Sequence, residues 1–273
     1  MPDPDRGNGA SDGGIRDVQF RGGGFNPGRQ PAAAWVAFAL VLACWQAGSS
    51  LGYLSDIILP SPAQIGAALW GLIKSGDLWR HLSASLSRLF SGWLLGTLTG
   101  LSVGFAIGMF TLARSVGLSF VSALFPIPKI ALLPLFIIWF GIGEPSKVAT
   151  IFFGVFFPTV INTYSAVDNV SRSLIRMGQS FGLSTFAIVT KIVLPGSLPG
   201  IFAGFRVSAA IGIILLVAAE MIGAEYGIGA LVLMAGNLMQ TDLLLAGVVM
   251  LSLLGLTIGF VLTKAERWLL RWR

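Results

Sequence analysis

Two ionisable side chains lie in segments that are otherwise apolar, and they are the residues of this sequence best placed to act on a charged ligand. Lys129 lies well inside the apolar stretch 118–141, and Glu220 lies near the end of the stretch 201–222. An ionisable group in a hydrocarbon layer is costly, so it faces a pathway, pairs with an opposite charge or reaches the interface. Both residues are therefore candidates for a translocation path.

The pattern leaves alternatives open for each residue. Lys129 can face a pathway, pair with an acid or extend to the membrane surface, and Glu220 can pair, line a pathway or lie in interfacial water at the end of its span. If the two residues pair, Glu220→Gln should destabilise the protein unless Lys129→Met is also present.

Motifs for catalysis are absent from the sequence. It contains no glycine loop ending in Gly-Lys-Ser/Thr, no His/Cys metal spacing and no nucleophile with a histidine partner. The single Cys44 excludes a disulfide within the chain. We therefore expect a chain that is not an enzyme and binds neither a metal nor a cofactor, with any energy supplied by a partner or an ion gradient.

Composition places the chain in a membrane, because 55% of its residues are hydrophobic and only 11% are charged. A helix needs about 20 mainly apolar residues to span the hydrocarbon layer. Six stretches meet this criterion, and they lie near 32–50, 89–110, 118–141, 148–166, 201–222 and 243–263. The sequence therefore predicts an all-α integral membrane protein with six spans, in which 31–273 is the transmembrane domain.

The distribution of Lys and Arg predicts the orientation of these spans. Most basic residues lie in the two termini and in the loop 167–200, which the positive-inside rule assigns to the cytoplasm. Both termini are then inside, and the net charge of +6 reflects topology, not nucleic-acid binding. Residues 1–30 are rich in Gly, Asp and Arg, which predicts a disordered cytoplasmic tail.

Three further patterns concern helix geometry. Prolines at 126, 128 and 134 predict a broken helix at membrane depth in the third span. Residues 63–74 predict an amphipathic interfacial helix. The second span carries a glycine at every fourth position, which forms a face for close packing, either against another span of the chain or against a second copy. These glycines are Gly92, Gly96, Gly100, Gly104 and Gly108.

A basic segment, 171–191, lies between the fourth and fifth spans and is typical of a surface for a soluble partner. It contains Gly182, and nine residues later the chain continues as Ile192-Val193-Leu194-Pro195. This spacing resembles the second half of the EAA loop in permease subunits of binding-protein-dependent ATP-binding cassette (ABC) importers. The strings at 131–144, 157–164 and 218–223 are similar to the nitrate/sulfonate/taurine branch, and the resemblance covers roughly 55–265.

The resemblance implies that 171–191 forms a coupling helix seated in a cytoplasmic ATPase subunit, which holds ATP and Mg²⁺. It also implies an extracytoplasmic binding protein and a second copy of the chain as partners in the inner membrane of a bacterium. In this interpretation Gly182 makes a tight turn and Leu194-Pro195 stops the helix before the fifth span. The expected coupling residues are Arg176, Phe181, Gly182, Ile192, Leu194 and Pro195, with Leu174, Phe181, Phe186 and Ile188 as apolar anchors.

The chain departs from the family pattern at Arg176-Met177-Gly178, where the family often has Glu-Ala-Ala. An acidic group on the ATPase is then expected near Arg176. The resemblance favours a small oxyanion as solute, such as nitrate, an alkanesulfonate or taurine, and it also fits a thiamine-pyrimidine precursor or riboflavin. The alternatives from another class are a gradient-driven secondary transporter and a membrane anchor or sensor.

Overall fold

The computed structural model of the protein describes residues 31–271, and within that part of the chain it contains helices and no strands. The predicted tail 1–30 lies outside these residues. The helices are α1 Pro31–Ser50, α2 Pro62–Ser75, α3 Asp77–Met109, α4 Thr111–Leu124, α5 Leu133–Phe140, α6 Glu144–Asp168, α7 Arg172–Ser180, α8 Thr185–Ile188, α9 Leu194–Glu220, α10 Ile228–Asn237 and α11 Thr241–Leu269. The prediction of an all-α protein is confirmed.

The number of membrane spans depends on one bent pair of helices. Five helical segments of the described chain are long and apolar enough to cross a membrane, and α4 with α5 makes a sixth if the bent pair is one span. The predicted second span lies in α3, a longer helix that begins at Asp77 and carries polar residues in its first turns. The predicted interfacial helix is α2, whose start is fixed by a capping box between Ser61 and Gln64.

The predicted break in the third span is present. The axis bends by 85° between α4 and the segment Lys129–Phe140, which begins with the 3₁₀ turn Lys129–Leu132. Pro126 and Pro128 lie in the break, and neither has an N–H to continue the helical hydrogen bonds. Carbonyl groups at the end of α4 are therefore left for other donors.

The predicted stop at Leu194-Pro195 is wrong, because a continuous helical segment runs from Thr185 to Glu220. Between α8 and α9 the chain forms a π-helical turn, Val189–Val193, in which the N–H of Leu194 donates to the carbonyl of Val189. This wider turn accommodates Pro195, which has no N–H of its own, without ending the helix. The helix that contains the predicted fifth span therefore begins well before residue 201.

The glycine face of α3 packs against α6 of the same chain. A Cβ added at any of the five glycines would lie between 2.6 and 2.9 Å from an atom of α6. Gly92 faces Ile151 and Gly108 faces Val167, so the two helices run in parallel. In lipid, such close backbone approach supplies the dispersion contacts that hold helices together.

Helix α9 packs on α6 in the opposite direction. Gly154 of α6 lies against Leu215, whereas Ala166 lies against Gly200. The starts of α3 and α6 and the end of α9 therefore meet at one end of the bundle. Helices α7 and α8 lie at the other end, which we call the α7 end.

We expect Gly96→Ala to destabilise the protein. The added Cβ would lie 2.8 Å from the carbonyl oxygen of Phe152 and 3.0 Å from Val155, and a backbone atom cannot rotate away. Overpacking of this kind costs about 1–3 kcal/mol, which thermal unfolding of the purified protein would show as a lower midpoint.

Gly259→Ala in α11 is the matched control, since nothing lies within 4 Å of its added Cβ. Helix propensity alone should stabilise that variant by up to ~1 kcal/mol. Equal midpoints for the two variants would contradict the packing of α3 on α6.

Candidate functional site

An exposed apolar surface covers the outer side of α7 and α8. Leu174 and Met177 are 47% and 50% exposed, and Phe181 and Phe186 are each 78% exposed. We call these four residues the α7 surface. Aromatic side chains grouped on an exposed face outside a span are typical of contact with another protein, and the exposed Arg176 lies beside them.

The predicted turn at Gly182 separates α7 from α8. Gly182 has a φ of +71°, in the left-handed region that favours glycine. The N–H of Leu183 donates to the carbonyl of Gly178 at 3.0 Å, which closes the end of α7. Ser184 then caps α8 by accepting a hydrogen bond from the N–H of Ala187. The turn therefore fixes the angle between α7, which ends just before Phe181, and α8, which carries Phe186.

The inner side of the same segment packs into the bundle. Ile188 is only 8% exposed and belongs to a core cluster with Val167, Val170 and Val193. Its predicted role as an anchor for a partner is therefore wrong. Ile192 packs against the same cluster, beneath α7.

Two further predicted coupling residues lie where the segment enters the fifth span. Leu194 is 40% exposed and Pro195 is half-buried. Both follow the π-helical turn directly. They therefore lie between the segment 171–191 and the fifth span, apart from the exposed aromatic side chains of the α7 surface.

Lys129 caps the broken helix. Its Nζ donates to the carbonyl oxygens of Leu124, Phe125 and Ile127 at 3.0, 2.8 and 2.7 Å. It also lies 4.7 Å from the centre of the Phe157 ring, halfway along α6. The partly exposed ammonium group thus satisfies carbonyls that the break leaves free, at the level of the middle of α6.

Glu220 is buried at the end opposite α7, with 1% of the residue exposed. Its carboxylate accepts hydrogen bonds from Arg88 Nη1 at 2.8 Å, from Ser85 Oγ at 2.7 and 2.9 Å, and from the N–H of Gly229 at 2.9 Å. In the described part of the chain its ion partner is Arg88. The hypotheses of a Lys129–Glu220 pair and of a carboxylate in interfacial water are both wrong.

Arg88 joins a second carboxylate to this group. Its Nε and Nη2 donate to the two oxygens of Glu144 at 2.6 and 2.7 Å. Lys147 lies 3.8 Å from Glu144 and donates to the carbonyl of Gly143 at 3.2 Å. We call Arg88, Glu144, Lys147 and Glu220 the ion cluster. It joins the starts of α3 and α6 to the end of α9.

The loop between α9 and α10 is held against the ion cluster. His81 Nδ1 lies 2.8 Å from the carbonyl oxygen of Gly227, and the N–H of Ile228 donates to Ser85 Oγ at 2.8 Å. A Cβ on Gly227 would lie 2.5 Å from the Glu220 carboxyl group, and its φ of +148° also favours glycine. The loop therefore approaches the cluster closely enough to exclude water from Glu220.

Arg88 is the partner of Glu220 that the sequence did not indicate. It lies just before the predicted second span, 89–110, and so does not stand out as an ionisable residue within a span. With six spans and both termini inside, Arg88 and Lys147 fall on the same side of the membrane as the end of the fifth span, where Glu220 lies. Opposite charges on that side were the available signal for the cluster.

Comparison with known proteins gives consistent matches. Residues 96–272 match the family model of the binding-protein-dependent transport system inner membrane component. The putative aliphatic sulfonates transport permease protein SsuC of Escherichia coli (strain K12) is 37% identical over 240 residues, which are 88% of this chain and 91% of SsuC. The taurine transport system permease protein TauC of the same organism is 33% identical over 249 residues, 89% of this chain and 90% of TauC.

The fold also matches a solved structure. A chain of the MetNI methionine ABC transporter in an inward-facing conformation has a TM-score of 0.61, with 23% sequence identity. The match covers 70% of this chain and 95% of that one. At this identity the likeness supports the fold alone.

We expect Glu220→Gln to destabilise the protein by about 3 kcal/mol or less, because it removes the buried countercharge of Arg88 while Glu144 still pairs with that guanidinium. Arg88→Met should offset part of this loss in the double variant, since the cation that lost its buried partner is then absent. Lys129→Met should not rescue Glu220→Gln, and the two effects should add within about 0.5 kcal/mol. Thermal unfolding of the single and double variants measures both couplings, and rescue by Lys129→Met would contradict the observed pairing.

Proposed function

The chain belongs to the family of binding-protein-dependent transport system inner membrane components, and from this membership we propose that it conducts a sulfonate-type oxyanion. As a member it is the permease subunit of an ABC importer and a multi-pass protein of the inner membrane. It is a transport subunit and not an enzyme, and the family implies an ATPase subunit and a substrate-binding protein as partners.

The observation that carries the choice of solute is the similarity to SsuC over 88% of the chain. A second relative, TauC, is named for taurine, which also bears a sulfonate group. The proposed solute is therefore an alkanesulfonate or taurine. Import follows alternating access, in which ATP binding and hydrolysis in the partner shift the permease between inward-open and outward-open states.

The proposed coupling site is the α7 surface. Four exposed apolar residues at one end of the bundle support a contact with the ATPase, whereas Ile188 and Ile192 hold the segment to the permease from beneath. The continuous helix from Thr185 to Glu220 supports the transfer of motion, because it joins this segment to a span without a loop. Arg176 lies beside the surface and would meet an acidic group of the ATPase.

The proposed path lies between two copies of the chain, with both termini and the α7 end in the cytoplasm. Lys129 is the path residue that we propose, and its partial exposure at the break supports this role. Glu220 is a weaker candidate for contact with solute because it is 1% exposed. Its proposed role is to hold Arg88.

We expect Phe186→Asp and Arg176→Glu each to lower the ATPase activity that the binding protein stimulates. The decrease should be about tenfold or more for Phe186→Asp, since aromatic anchors in interfaces contribute about 2 kcal/mol or more. Both side chains are exposed, so the thermal midpoint of the isolated permease should stay unchanged. Activity is measured in proteoliposomes containing the whole transporter.

Gln179→Ala on the exposed side of α7 and Lys264→Glu in α11 are the matched controls. They should leave stimulated ATPase activity near the wild-type value. Full activity in Phe186→Asp would show that the α7 surface does not meet the ATPase, and full activity in Arg176→Glu would remove the acidic contact.

The solute is tested by uptake of a labelled panel in cells that lack this gene. We expect the wild-type chain to restore uptake of taurine or of an alkanesulfonate, and Gly182→Val to restore none, because a β-branched residue is strained at a φ of +71°. The panel also contains nitrate, a thiamine pyrimidine and riboflavin. Rescue of one of these alone would replace the sulfonate assignment, and ATP-independent uptake would favour a gradient-driven transporter.

A further inference from the structure

The two carboxylates on Arg88 differ in how firmly they are held. The Glu220 side chain is fully buried and receives hydrogen bonds from Arg88, Ser85 and the Gly229 N–H. The Glu144 side chain is 58% exposed, and its hydrogen bonds in the described chain all come from Arg88. Glu144 can therefore return to water at low cost, whereas Glu220 cannot.

The cations beneath Glu144 are both buried. The side chains of Arg88 and Lys147 are 6% and 5% exposed. In the described residues, the only salt-bridge partner of Lys147 is Glu144. If Glu144 moved away alone, Lys147 would be a buried cation with no counterion, and the Nε edge of Arg88 would lose both acceptors. Both losses are costly, so release of Glu144 requires another anion in its place.

Glu144 can leave the cluster by a rotation of its own side chain. It is the first residue of α6, and the backbone before it is held, because the carbonyl of Gly143 accepts hydrogen bonds from Ser146 Oγ at 3.0 Å and from Lys147 Nζ at 3.2 Å. The Glu144 side chain itself is more than half exposed. Rotation about its side-chain bonds would therefore withdraw the carboxylate into water without disturbing the buried part of α6.

An open concavity of about 460 Å³ lies beside the ion cluster. It is lined by Arg80, Ser83, Ala84, Ser87 and Tyr226. Tyr226 borders both sites, because its carbonyl accepts a hydrogen bond from Arg88 Nη1 at 2.6 Å. A small solute in this concavity would lie against Tyr226, the residue whose carbonyl accepts from Arg88. The concavity exceeds the volume of a two-carbon sulfonate several-fold.

We propose that Arg88 and Lys147 form a binding site for the sulfonate group of the solute, and that Glu144 fills this site as an exchangeable internal carboxylate when no solute is bound. A sulfonate presents two oxygens in a fork that accepts the parallel N–H groups of a guanidinium, as the Glu144 carboxylate does. The third oxygen is left for the Lys147 ammonium group. This proposal rests on the proposed function, since it assigns a subsite to the same class of solute.

The test measures binding of methanesulfonate to the whole transporter in nanodiscs by titration calorimetry. Glu144→Gln removes the internal competitor, so its dissociation constant for methanesulfonate should fall about tenfold or more, which is the expected gain if about a tenth of wild-type sites are open. Lys147→Met in the Glu144→Gln background should abolish that gain. Methanesulfonamide, which has the same shape but no charge, should not bind to any variant.

Lys74→Gln is the matched control, since Lys74 is an exposed cation in the last turn of α2 that belongs neither to the lining of the concavity nor to the ion cluster. It should keep the wild-type dissociation constant. The proposal is overturned if Glu144→Gln binds no more tightly than wild type, or if Lys147→Met leaves the gain intact in a variant with an unchanged thermal midpoint.

The uptake panel separates this proposal from the proposed function. Sulfonate uptake by wild type without any gain in Glu144→Gln would refute the subsite alone. Tighter methanesulfonate binding by Glu144→Gln in a transporter that imports only riboflavin or a thiamine pyrimidine would refute the proposed solute, and the anion site would then serve another ligand.

Discussion

A polar group in the hydrocarbon layer has no water to bond, and this constraint explains most of the unusual features of the chain. Where Pro126 and Pro128 interrupt the helix, the freed carbonyls receive the ammonium group of Lys129. Where Pro195 lacks an N–H, the π-helical turn lets the helix continue. The Lys129 ammonium group and the free carbonyl groups therefore satisfy each other's hydrogen bonds. A lysine whose position in the sequence suggested a role in transport thus has a structural role, which is to stabilise the break.

The two ends of the bundle differ in which side chains they expose and which they bury. At the α7 end, apolar side chains lie exposed, and a partner protein would remove them from water. At the opposite end, charges are buried and paired within the chain. Helices α3 and α6 are held together by the glycine face, and the helix from Thr185 to Glu220 connects both ends over roughly 50 Å. A displacement of α8 would therefore be transmitted to α9, whose last residue, Glu220, binds Arg88.

Sequence predicted the features that depend on local pattern. The apolar lengths gave the spans, the prolines gave the break, and the spacing of Gly182 gave the turn after α7. The features that the sequence did not predict depend on which pairs of helices pack against each other. The choice of Arg88 over Lys129 as the partner of Glu220 is set by the parallel packing of α3 and α6, and no hydropathy pattern encodes that register. Burial of Ile188 likewise follows from contacts with residues far away in the sequence.

The departure from Glu-Ala-Ala at residues 176–178 has a packing explanation at one position. Gly178 is buried, and a Cβ there would lie 2.9 Å from Ile192 Cδ1 and 3.4 Å from Leu183 Cδ1. Glycine lets α7 lie close to the joint with the fifth span, which offsets its low helix propensity of up to ~1 kcal/mol relative to alanine. Because Arg176 forms no salt bridge within residues 31–271, no carboxylate in that part of the chain pairs with its charge. The proposed contact with an acidic group of the ATPase would supply such a pair, and glycine at 178 sets how closely α7, which carries Arg176, lies to the fifth-span helix.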